Sequence, residues 1–221
     1  MRVLVLFCGQ GAVEAEILTR NPTAEITSLD WDPKSAATHI TDIKEFVQTD
    51  LFLLSPGYFD IMWASPPNSE SSREENIPIQ NLEQTDELAA ATLACLLWLK
   101  PKYWFIENPA GMLRWRPLMR PLSPYLQQVS YCKYGGHARK DTCIWTNSDT
   151  GNLEQCRRES YCDQKQSTGR HGTKTQGDSS RGMPSSGAKK SVPHIPQQLL
   201  QRLLEGLPEE SSGQGYGPQR Q

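Results

Sequence analysis

The sequence predicts a doubly wound α/β domain built on a mostly parallel sheet, and three observations predict it. Short, largely apolar runs occur at 2–7, 26–29, 59–64 and 103–106. Helical patterns lie between several of them. Each run ends at a glycine, acidic or proline signal and not in a two-residue hairpin turn. Apolar runs without polar alternation mark strands covered on both faces, as parallel strands between helices are.

The elements follow in order. Arg2-Val3-Leu4-Val5-Leu6-Phe7 is a strand broken by Cys8-Gly9-Gln10-Gly11. Residues 12–18 read as a helix with Ala12, Ala15 and Leu18 on one face, stopped by Asn21-Pro22. The second strand, 26–29, ends at Asp30, and the third, 59–64, ends in Ser65-Pro66-Pro67-Asn68. Each proline ring locks φ near about −65°, so this turn is a stiff pedestal for the side chain after it. Residues 69–76 are polar without apolar periodicity and read as a surface loop. Leu88, Ala91, Thr92, Cys95, Leu96 and Leu99 make 86–99 a helix, ended by Pro101. Tyr103-Trp104-Phe105-Ile106 is a buried strand leading to Glu107-Asn108-Pro109. Strands at 129–134 and 142–146, joined through Gly135-Gly136, would close the sheet as a hairpin.

From 148 to 191 the composition turns to Gly, Ser, Thr, Gln, Arg and Lys with almost no aliphatic residues. Such a segment buries too little apolar surface to offset its ordering entropy and reads as a flexible linker. Ile195, Leu199, Leu200, Leu203 and Leu204 then form one apolar stripe behind Pro196, so 192–208 carries a helix that docks on the domain. Residues 209–221 read as a disordered tail. The domain proper is 1–147.

Among 221 residues no stretch approaches a membrane span, and 1–7 is too short for a signal peptide. The expectation is an intracellular protein with no membrane association, cytoplasmic or, in a eukaryotic host, nuclear. The six cysteines show no CxxC pair and no regular spacing, which favours free structural thiols over a metal site or a disulfide framework. Residues 1–99 hold five Lys/Arg against fifteen Asp/Glu, and 100–221 hold eighteen against ten. The basic half suits either a nucleic-acid surface or a solvated tail.

In an open parallel sheet ligands bind beyond the carboxyl ends of the strands. Cys8–Gly11, Asp30-Trp31, Ser65–Asn68 and Glu107–Pro109 each follow a strand, so all four converge on that edge. The glycine turn at Phe7, Cys8, Gly9 and Gly11 is either a plain βα turn or a place where backbone N–H groups approach a ligand. Asp30 is placed to accept from ribose hydroxyls, and Trp31 to stack on an adenine. Asp42-Ile43 is placed either to contact that base from the other side or to cap the next helix.

These motifs, with Tyr131-Cys132-Lys133-Tyr134-Gly135, Arg139-Lys140 and Ile144-Trp145-Thr146-Asn147, resemble in order and spacing the cytosine-C5 DNA methyltransferases, above all the compact phage-type branch with Ser-Pro-Pro-Cys and Glu-Asn-Pro. The resemblance runs through 1–147 and takes in the C-terminal helix. It implies the Rossmann-like methyltransferase fold and S-adenosylmethionine as cofactor. The glycine loop, Asp30, Trp31, Asp42 and Ile43 would hold it, with Ser65 and Pro66 beside it. The resemblance further implies duplex DNA with a base flipped out of the stack. Glu107 would then contact the cytosine, while Arg139 steadies its oxygen. A second family arginine falls at Asp141.

The family's nucleophilic cysteine falls at Asn68. C5 methylation begins with a thiolate adding to C6, for which a carboxamide is no substitute. Three expectations stay open. One is a C5-type methyltransferase that draws a thiol from elsewhere, such as Cys8 or Cys132. Another is a catalytically inactive DNA- or protein-binding regulator. The third is an N4-cytosine or N6-adenine amino methyltransferase using Ser-Pro-Pro-Asn. The thin segment where a target-recognition domain would sit leaves room for a partner protein that reads the sequence.

Overall fold

The computed structural model describes residues 1–67, 79–136, 139–157, 162 and 195–207, with backbone alone at 79–82. Asn68, the expected loop 69–76, most of the expected linker over 158–191 and the expected tail 209–221 lie outside the described residues. Seven strands form one sheet: β1 (Arg2–Leu6), β2 (Glu25–Asp30), β3 (His39–Ile40), β4 (Ile61–Ala64), β5 (Tyr103–Pro109), β6 (Leu126–Ser130) and β7 (Asp141–Thr146). Four helices accompany them: α1 (Ala12–Arg20), α2 (Ile43–Thr49), α3 (Ile79–Leu99) and α4 (Gln197–Leu204). The spatial order is β3-β2-β1-β4-β5-β7-β6.

All pairings from β3 to β5 are parallel, and β7 enters antiparallel between β5 and β6. This is the doubly wound, mostly parallel arrangement expected. The chain leaves β1 in one direction for β2 and returns on the other side for β4, so the order reverses between β1 and β4 and opens a crevice at their carboxyl ends.

Alternation along β1 explains the two layers. Leu4 and Leu6 belong to the core shared with Ile43 and Phe46 of α2 and Ala89, Cys95 and Leu99 of α3. Val3 and Val5 belong to the opposite core with Val13 and Ile17 of α1 and Leu199, Leu200, Leu203 and Leu204 of α4. All four β1 side chains are wholly buried, as a central parallel strand requires. The C-terminal helix thus docks beside α1, and the Arg20 guanidinium donates to the Gln201 carbonyl at 2.8 Å. Among the described residues no helix is long and apolar enough to cross a membrane.

Several boundaries differ from expectation, each for a physical reason. The strand expected over 129–134 starts earlier and ends at Ser130, because Tyr131–Tyr134 curl into a 3-10 turn closed by the Gly136 amide on the Tyr131 carbonyl at 3.0 Å. The helix expected from 86 begins at Ile79. The short β3 was not anticipated, whereas α2 starts where the capping reading of Asp42 puts a helix, with Asp42 accepting the Lys44 amide at 2.8 Å.

The flexible linker expected from 148 is packed over its first ten residues. Ser148, Thr150 and Cys156 are buried. Polar groups hold this stretch where aliphatic ones are lacking. Thr150 Oγ1 accepts from Gln127 at 2.9 Å, and the Ser130 amide donates to the Glu154 carbonyl at 3.0 Å.

Leu200 is 2% exposed in the layer that seals β1. Leu200→Ala should cost about 2–5 kcal/mol, read as a fall in Tm of roughly 2–4 °C per kcal/mol for a chain of this size. An unchanged Tm would show that α4 contributes nothing to the fold.

Candidate functional site

The four strand ends meet as expected, and the first loop is the most constrained of them. Phe7 adopts φ 59°, Gly9 φ 57° and Gly11 φ 76°. For a bulky residue such as Phe7 the left-handed region is a true outlier, of the kind that collects at functional sites. The Phe7 and Cys8 amides both donate to the Leu29 carbonyl, at 2.8 and 3.3 Å, which binds the loop to the end of β2. A Cβ on Gly11 would lie 3.1 Å from the Ala36 Cβ. Gly11 also begins α1 without a side-chain cap, so the helix N-terminus is left to backbone N–H groups.

Asp30 closes this loop from the other side. Its Oδ2 accepts the Gly9 amide and its Oδ1 the Asp32 amide, both at 2.9 Å. Each carboxylate oxygen retains capacity for a further bond. Trp31 beside it is 68% exposed, an aromatic face open to solvent. Asp42 is committed to capping α2, and Ile43 is 5% exposed in the core with Leu29 and Phe46. The capping half of the paired expectation for Asp42 is thus observed.

Glu14, one turn into α1, was missed. Both its carboxylate oxygens are buried without a hydrogen-bond partner among the described residues. Burial, and secondarily the Asp30 charge, pushes its carboxyl above the usual glutamate range. In sequence it reads as an acid favourably placed in a first helical turn, and only the fold shows it turned toward Cys8, Ser28 and Asp30. Cys8 is pushed up to about 12, by burial first and then by the charges of Glu14 and Asp30.

The ends of β4 and β5 are bound together. The Asn108 carboxamide, fully buried, donates to the Pro66 carbonyl at 2.8 Å. Ser65 Oγ accepts the Trp63 indole N–H at 2.9 Å. Next to Asn108, Glu107 is 5% exposed. Its Oε1 accepts from the Tyr131 hydroxyl at 2.8 Å and faces the Lys140 ammonium at 3.6 Å. Burial, then the Glu107 charge, raises the Tyr131 phenol well above its ordinary range. This phenol is the donor in its bond to Glu107.

The cation facing Glu107 is Lys140, to which the resemblance gave no role of its own. The Arg139 guanidinium is instead paired with Asp141, Nη2 to Oδ2 at 2.7 Å and Nε to Oδ1 at 3.0 Å, with both side chains part-exposed. Arg139 is thus occupied by its neighbour Asp141.

No family model and no curated protein matches this chain. Among solved structures it is similar to one described as a DNA modification methyltransferase encoded within a prophage of E. coli, at 14% identity and a TM-score of 0.43. The likeness covers 66% of this chain and 46% of that one, so this chain spans less than half of its neighbour's length.

The orphaned Glu14 carboxylate sets a sign for its effect on stability. Its folded pKa lies above the ordinary value of 4.5, so ionisation costs the fold stability as pH rises through that range. Glu14→Gln should therefore raise Tm at neutral pH by roughly 2–4 °C for each kcal/mol relieved, and leave Tm unchanged near pH 4. A lower Tm at neutral pH would mean that the carboxylate has a partner.

Proposed function

We propose that this chain is an S-adenosylmethionine-binding protein of the cytosine-C5 DNA methyltransferase type, in which C5 transfer is blocked for want of a thiolate at Asn68. The observation that carries this reading is the convergence, on one strand-end edge, of a strained glycine loop with its carboxylate (Asp30) and of a buried carboxylate (Glu107) tied to the proline turn through Asn108.

The residues present fit the cofactor. Asp30 retains acceptor capacity for ribose hydroxyls, and Trp31 offers an open ring for adenine. The uncapped N-terminus of α1 suits the cofactor's carboxylate, and the orphaned Glu14 carboxylate suits its ammonium. S-adenosylmethionine, when bound, supplies a methyl group on a sulfonium.

What the chain itself contributes is positioning. Among the described residues the two polar contacts of Glu107 fall on Oε1, which leaves Oε2 to accept from the exocyclic amine of a flipped cytosine. Tyr131 and Lys140 hold that carboxylate in place. DNA is then the partner, with its phosphates met by the basic second half of the chain.

Blocked transfer is favoured over a borrowed nucleophile by the state of the two alternative thiols. Cys8 is held near 12 and provides no thiolate at neutral pH, while Cys132 is buried in a cluster with Cys156 and Cys162.

Mass spectrometry of nucleosides from DNA incubated with the protein and S-adenosylmethionine tests the reading. The expected result is no 5-methylcytosine from the wild-type chain and measurable 5-methylcytosine from Asn68→Cys. Product from the wild-type chain would overturn the blocked step. N4-methylcytosine or N6-methyladenine would move the chain to the amino methyltransferases.

A further inference from the structure

Three buried thiols meet at the far corner of the same edge. Cys132 lies in the 3-10 turn after β6, Cys156 in the segment after β7, and Cys162 six residues further on. Their Sγ atoms all lie within 4.8 Å of one another. The residues are 4%, 1% and 6% exposed, and they form a cluster of their own, apart from both sheet cores. Cys8, Cys95 and Cys143, by contrast, are packed among aliphatic and aromatic side chains of those cores.

We propose that Cys132, Cys156 and Cys162 bind a zinc ion as three thiolate ligands of a tetrahedral structural site that clamps residues 148–157 and Cys162 to the β6–β7 end of the sheet.

The number of thiols favours a metal over a disulfide. A disulfide would join two and strand the third beside it, whereas zinc takes all three and completes four-coordination with one further ligand. With Zn–S bonds of about 2.3 Å, tetrahedral geometry sets sulfurs roughly 3.8 Å apart, so the present cluster needs only a slight contraction. Thiolate donor sets select zinc among the common divalent ions, and its binding needs no oxidant. Each thiol loses its proton as its S–Zn bond forms, so three protons are released and no oxidation state changes.

The surroundings are built to hold such a site. The Cys156 amide donates to Ser130 Oγ at 2.9 Å. Ser130 Oγ donates to Asp141, and Asp141 pairs with Arg139. The Arg139 guanidinium interacts electrostatically with Cys132 and Cys156, and so offsets part of the negative charge of three thiolates. The segment to be held is poor in aliphatic side chains, Leu153 being the one from 148 to 162, so it is anchored by polar contacts and by its thiols. The clamp also reaches the candidate base site, because Cys132 directly follows Tyr131, the donor to Glu107. The zinc proposal does not depend on the cofactor or the reaction.

The test is metal analysis of the full chain, purified with reductant and without chelator from cells grown with zinc. About one zinc per chain is expected in the wild type and in Cys95→Ala. A loss of at least roughly tenfold is expected in Cys132→Ser, Cys156→Ser and Cys162→Ser. Should those variants misfold, the zinc X-ray absorption spectrum of the wild type decides alone, with three sulfurs expected at about 2.3 Å. Metal-free wild type, a mass two hydrogens short from an internal disulfide, or a spectrum with one sulfur or none would overturn the proposal.

Discussion

A single buried hydrogen bond, from the Asn108 carboxamide to the Pro66 carbonyl, sets the geometry on which the candidate site depends. β4 and β5 are parallel neighbours, and their ladder ends at Ala64 and Ile106. Beyond that point nothing in the sheet holds the two tips in register. The turn after β4 is rich in proline, and prolines have no N–H to return to a neighbour. Asn108 supplies the missing donor from the next strand, and because it is fully buried the bond is made in a medium where leaving it unmade is costly. Ser65–Pro67 and Glu107 are thereby fixed against each other.

The same logic of strand ends tied by side chains and amides runs along the edge. Asp30 carries the loop after β1 through the Gly9 amide. Tyr131 and Lys140 carry Glu107 from the β6–β7 connection. The loops are thus held by polar contacts reaching across strands, while the hydrophobic layers beneath them need only present strand ends in the right order. The opposite, amino edge carries a cavity of about 30 Å³ lined by Met1, Ile17, Ile61 and Leu204, enough for a water and not for a nucleoside.

What was legible in the sequence follows from where information is local. Strand ends at Gly9, Asp30, Pro66 and Pro109 were readable because turn chemistry is written in adjacent residues, and the leucine stripe of α4 because helical period is too. Glu14 and Lys140 were not, since an acid in a first turn and a lysine before a strand look like solvated charges until the fold buries them. The packed stretch 148–157 was misread because its anchors are hydrogen bonds to Ser130 and Gln127, which leave no mark in composition. The cysteine cluster escaped for a similar reason. Its members are 24 and 6 residues apart, and only the return of the chain through β7 brings them together.

The central claim is that this edge is an S-adenosylmethionine site, and calorimetric titration of the purified full chain with S-adenosylmethionine tests it most directly. Saturable one-to-one binding is expected, weakened at least roughly tenfold by Asp30→Ala, the loss of a charge-assisted hydrogen bond to the ligand. No saturable heat from a folded wild-type chain, or equal affinity in Asp30→Ala, would contradict it.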